Sequence, residues 1–189
     1  MDRKSFSLMP FPGEDPGGDL KIEGTIGRRG NALSLGCAVL GNLAELATPT
    51  PAKSPGRRDR LWEETCLEMF LGVKGSERYW EFNLSPAGHW NVYRFSSYRK
   101  EMREEPAFAS LPFRVLTEPE ALQVSLDLEL GKIIPAGRVI EVAIGAVIRT
   151  VTGGTSHWAL VHPGLRPDFH RRDGFVLDVH DGESRRRRP

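Results

Sequence analysis

Cys66-Leu67-Glu68-Met69-Phe70-Leu71-Gly72-Val73 alternates with a period of two, the mark of a strand whose side chains point by turns to opposite faces. Leu67, Met69, Leu71 and Val73 share one face, and Cys66, Glu68 and Phe70 share the other. Lys74-Gly75-Ser76-Glu77 supplies turn chemistry, and residues 78–85 resume the alternation. There Trp80, Phe82 and Leu84 stand against Tyr79, Glu81, Asn83 and Ser85. Pro86-Ala87-Gly88 turns the chain into a third strand over residues 89–95. The three predict an antiparallel meander with one apolar and one polar face.

Outward from this block the same period recurs. Leu20-Lys21-Ile22-Glu23-Gly24-Thr25-Ile26 alternates, Arg28-Arg29-Gly30-Asn31 offers a turn, and residues 32–40 return as a hairpin partner. Toward the C-terminus, residues 113–117, 122–130, 138–150, 155–161 and 174–179 read as further strands. Residues 41–60 carry Pro49, Pro51, Pro55 and Gly56 and read as a long irregular connection. Only residues 97–105 read as helical. Many short strands and almost no helix predict an all-β, antiparallel β-sandwich, a jelly-roll or immunoglobulin-like pair of sheets. One domain is expected over residues 1–180, followed by a basic, disordered tail at 181–189.

Lys and Arg total 26 and Asp and Glu 25, so no global field steers the chain toward nucleic acid. Arg185 to Arg188 form the one concentrated charge, read as a solvated tail. The N-terminal residues have no continuous apolar run, and no stretch approaches the ~20 apolar residues of a membrane span. A cytoplasmic location with Cys37 and Cys66 reduced is the expectation. Oligomeric state is left open.

Nucleophile elbows, phosphate loops, zincin helices and dinucleotide fingerprints are all missing from the sequence. Polar residues nevertheless accumulate. Glu68 and, on the neighbouring strand, Glu81 and Asn83 fall on one face, where same-face neighbours lie about 5 Å apart. Two carboxyls that close call for a proton, a cation or a ligand donor between them. Trp62 and Trp90 lie beside polar residues and turns, where an indole can stack on a sugar ring, and Tyr93 of the third strand joins the candidate site. Trp80 and Trp158 have apolar neighbours two residues away and read as core. His157, His162 and His170 cluster in one region beside Asp168. His157 and His162 differ by an odd number, which argues for hydrogen-bonding histidines over a one-face metal site.

Residues 61–71 and 79–95, with Ser156-His157-Trp158-Ala159-Leu160, Pro167-Asp168-Phe169-His170 and Gly174-Phe175-Val176-Leu177, resemble the DOMON-like family, which is related to family 9 carbohydrate-binding modules. The similarity is to a bacterial group and runs from about Leu20 to Val179. It implies a β-sandwich whose members bind sugars or haem. For sugars it implies two sandwiching aromatics, with Trp62 and Trp90 as candidates. For haem it implies Met and His axial ligands, with Met69 and Met102 as the methionines considered.

The leading expectation is a non-catalytic module for a carbohydrate or glycoside-like molecule, without cofactor. Glu68, Glu81, Asn83, Tyr93, His157, His162 and His170 would bond hydroxyls beside Trp62 and Trp90. Alternatives are a haem- or metal-binding protein using those histidines, an enzyme pairing Glu81 or Glu68 with a histidine as acid and base, or a polar face that joins copies of the chain.

Overall fold

A computed structural model describes residues 2–15 and 18–182, so the arginine run at 185–188 lies outside the described residues. Twelve strands occur among the described residues. They are β1 (Asp2–Pro10), β2 (Lys21–Arg29), β3 (Ala32–Leu40), β4 (Cys66–Val73), β5 (Tyr79–Leu84) and β6 (Trp90–Phe95), then β7 (Arg103–Glu104), β8 (Phe113–Glu118), β9 (Ala121–Glu129), β10 (Ile140–Arg149), β11 (Thr155–Ala159) and β12 (Leu177–Val179). They form one curled antiparallel sheet in the order β7-β6-β5-β4-β10-β11-β1-β2-β3-β9-β8, with β12 pairing β10 beside β11. No helix among the described residues is long and apolar enough to cross a membrane.

β1 joins the two halves of this sheet. Asp2 to Leu8 pair with β2, and Met9 and Pro10 pair with β11. The sequence reading passed over β1 because only Phe6 and Leu8 point inward from it, too few to establish a period. Residues 97–105 are not helical, contrary to expectation. Arg99 and Glu101 both have φ of 53°, outside the helical region, and Ser97 bridges Lys100. Tyr98 and Met102 are both exposed, so a helix here would have no apolar face to bury.

Alternation along each strand builds the core. Leu67, Met69 and Leu71 of β4, Trp80, Phe82 and Leu84 of β5, and Val142, Ile144 and Ala146 of β10 pack in one cluster with Ile22, Leu35 and Leu126 of the other half. Burial of each such aliphatic side chain contributes roughly 1.5–3 kcal/mol. Both faces of β4 and β5 are buried, the polar one included. The outer face carries a second cluster of Phe70, Tyr79, Tyr93, Phe95, Ala143 and Phe175, against which Trp62 and Phe169 pack. Tyr79 stacks on Phe95 with centroids 4.7 Å apart.

Arg172 also crosses this face. Its guanidinium lies over Phe175 at 4.5 Å, donates to Glu141, and occupies the space above Gly72, where a Cβ would fall 1.6 Å from Nη1. Gly72→Ala is therefore expected to expel the guanidinium and lower stability by about 1–2 kcal/mol, seen as a lower urea midpoint. An unchanged midpoint would show that the Arg172 contacts contribute nothing.

Candidate functional site

Register decides what the outer face presents. Glu68 lies opposite Asn83 on one side and Gly145 on the other, while Glu81 lies opposite Phe70 and Tyr93. Glu68 and Glu81 are thus diagonal neighbours on the floor of a cleft of about 330 Å³. Trp62, Phe95 and Phe169 give the cleft its aromatic lining, Arg99, Met102 and Asp168 line it too, and His157 and His170 complete its polar edge.

Trp62 sits on a 3-10 turn (Leu61–Glu63) and meets the Tyr93 ring edge-on at 5.7 Å. The Tyr93 hydroxyl donates to Asp59 and accepts from Asn91, fixing the end of the long connection that delivers Trp62. Arg57 anchors the same connection: it donates to Asn91 and to the carbonyls of Glu105 and Phe108. Phe169 owes its place to Gly145, since a Cβ there would lie 2.9 Å from the ring. Arg60, Arg99 and Glu101 are the non-glycine residues with positive φ among those described; Arg99 lines the cleft, Arg60 precedes the turn that carries Trp62, and Glu101 precedes Met102. Backbone in that region costs energy that surrounding contacts must offset, and it concentrates at functional sites.

The Arg99 backbone N–H donates to the Tyr79 hydroxyl at 3.1 Å, and that hydroxyl is hydrogen-bonded to His170 Nδ1 at 2.8 Å. His170 Nε2 lies 3.7 Å from Glu81 Oε2. Burial, and next the charge of Arg99, lower the His170 pKa to about 4. Burial raises Glu81 to about 7, against the pull of the Asn83 hydrogen bond (2.8 Å) and of Arg99. Glu68 is raised well above the usual carboxyl range, by burial first and the Glu81 charge second. Glu68 is 4% exposed, and among the described residues no hydrogen-bond partner reaches its carboxyl. His157 is held differently: its backbone N–H and Nδ1–H both donate to Glu14, at 2.6 and 2.9 Å.

The structure brings Trp62, Glu68, Glu81, His157 and His170 to one cleft. Asn83 is fully buried beneath it, holding Glu81 and accepting from Cys66. Tyr93 is buried behind Trp62 and supports it without lining the cleft. The expectation of a Trp90 stacking face is corrected. Trp90 pairs with Leu84, shares its inward parity, and packs in the core under the Arg57 guanidinium at 4.5 Å. His162 lies past the end of β11 and outside the cleft, donating to the Met9 carbonyl at 2.8 Å. Met69 is in the core, whereas Met102 lines the cleft. Among the described residues no three or more His, Cys, Asp or Glu converge as a metal ligand set. Arg99, Phe95 and Phe169 were not expected as site residues. Phe169 had a signal in its place between Asp168 and His170, while Arg99 had none.

Solved structures share this architecture. A crystal structure titled as a "putative carbohydrate-binding protein" from Bacteroides uniformis matches with a TM-score of 0.69 at 15% identity, covering 94% of this chain and 86% of that one. A family 9 carbohydrate-binding module from Caldicellulosiruptor kristjanssonii, in complex with cellotriose, matches with a TM-score of 0.57 at 9% identity, over 94% of this chain and 81% of that one. This chain has the fold of the family 9 carbohydrate-binding modules. A structure of such a module from the same organism with glucose gives a TM-score of 0.54 at 10% identity, over 86% and 76% of the two chains. No protein-family model and no curated protein sequence matches the chain.

Proposed function

We propose that the chain is a non-catalytic carbohydrate-binding module and that a sugar ring occupies the cleft against Trp62 and Phe169. One observation carries this reading: the Glu68 and Glu81 carboxyls lie at the floor of an opening walled by Trp62, Phe95 and Phe169. Water on such a floor is displaced by a ligand whose polar groups reproduce its hydrogen bonds. Sugar hydroxyls supply such donors, and the apolar face of the ring suits an indole. The sugars bound by the family 9 modules of the same fold, and the resemblance of residues 61–71 and 79–95 to the DOMON-like family, support the same reading. On this view the curled sheet is the two-layer sandwich of those modules, its halves closed on one core.

Titration with glucose and cellotriose, followed by tryptophan emission, tests the proposal. Saturable quenching is expected, and Trp62→Ala is expected to weaken binding about tenfold or more, since stacking against a large aromatic is worth on the order of 1–2 kcal/mol. If neither sugar perturbs emission or releases heat in calorimetry, the carbohydrate reading falls. An acid–base enzyme is the second reading, favoured by the Glu81 carboxyl at about 7 beside His170 Nε2. Turnover of aryl glycosides that vanishes in Glu81→Gln while binding persists would select it.

A further inference from the structure

Two carboxyls face the cleft floor, and the cations around them are already engaged. Arg99 is the one Lys or Arg lining the cleft among the described residues. It donates to Asp168 Oδ1 at 2.9 Å, and half of its side chain is in solvent. Tyr98 donates to the second Asp168 oxygen, so Arg99 is held by Asp168 while its charge still acts on Glu68 and Glu81. His170 is hydrogen-bonded to the Tyr79 hydroxyl through Nδ1 and places Nε2 3.7 Å from Glu81. His157 turns its Nδ1–H to Glu14. No Lys or Arg ion pair reaches Glu68 or Glu81 among the described residues.

A carboxylate on this cleft floor is unfavourable unless it keeps a proton or gains a cation. A neutral hydroxyl leaves the two carboxyls protonated, whereas a cation stabilises them in the ionised form. A metal ion would need a third donor, and none converges here among the described residues. An ammonium group supplies that charge through its three N–H donors and needs only two carboxyls. Trp62, Phe95 and Phe169 add electron-rich faces that favour a cation in the same cleft.

We propose that the sugar taken by this cleft carries a free, protonated amine, an amino sugar whose ammonium lies between Glu68 and Glu81. This rests on the carbohydrate reading above and narrows it. Binding drives off the protons that Glu68 and Glu81 hold in the empty cleft. The groups that share their surroundings are Cys66 on β4, Tyr79 on β5, His157 on β11, and Arg99, Asp168 and His170 on the loops. Of these, Arg99 and Asp168 carry the charge at the mouth.

Isothermal titration of the full chain at pH 6.5 with glucosamine, glucose and N-acetylglucosamine, in two buffers of different ionisation enthalpy, tests it. Glucosamine is expected to bind about tenfold or more tightly than either other sugar, with protons released to the buffer. Glu68→Gln and, separately, Glu81→Gln, each checked for native near-UV circular dichroism, are expected to erase that preference, so that glucosamine binds no more tightly than glucose. Equal or tighter binding of glucose would overturn the amine and leave the carbohydrate reading standing. Binding of none of the three would overturn both.

Discussion

Glu68→Met is expected to unfold at a higher urea concentration than the wild type at pH 7 and to bind no sugar. The carboxyl is 4% exposed, has no hydrogen-bond partner among the described residues, and is held well above its ordinary range by burial and by Glu81. Arg99 pulls the other way without prevailing. A thioether removes that desolvation cost and follows the same unbranched stem, so the gain is about 1–3 kcal/mol. Most core substitutions destabilise, and a gain here would mark Glu68 as kept for a ligand at the expense of stability. A urea midpoint below the wild type would show that the carboxyl serves the fold, and the ligand argument built on it would fail.

Glu81 and His170 are expected to impose opposite pH dependences on stability that nearly cancel. Glu81 moves from 4.5 up to about 7. The folded chain therefore holds a proton that the unfolded chain has lost, and stability falls as pH rises from 4.5 to 7. His170 moves from 6.5 down to about 4. In that window the unfolded chain binds the extra proton, so stability rises as pH goes from 4 to 6.5. Each shift corresponds to about 3 kcal/mol. Urea midpoints across pH 4 to 8 test this. Glu81→Gln should unmask the rise due to His170, and His170→Gln should unmask the fall due to Glu81, with Glu68 adding to that fall. Flat difference profiles for both variants would mean that neither group is shifted, and a charged Glu81–His170 pair would then replace the neutral one.

Strand parity was legible because a pleated chain must alternate. Leu67, Met69 and Leu71 faced the core as read, and Glu68, Glu81 and Asn83 fell on the other face. Parity carried the information for Trp90 as well. Leu84 and Trp90 are paired across the hairpin, so one core residue implies the other, and the polar neighbours of Trp90 obscured it. Arg99 was not legible, because its place depends on a loop whose backbone takes the left-handed region at positions with no glycine.

The sequence by itself determined that this chain is built of antiparallel strands and which side chains leave each strand together, since alternation is local and repeats every two residues. Only the tertiary structure decided that the second face of the meander is buried. That burial comes from the 61–63 turn and the 167–175 segment, distant in sequence, packing on β4 and β5. A hydrophilic strand face is indistinguishable in sequence from a solvated one. Here remote chain covers that face and leaves the Glu68 and Glu81 carboxyls at the floor of a cleft.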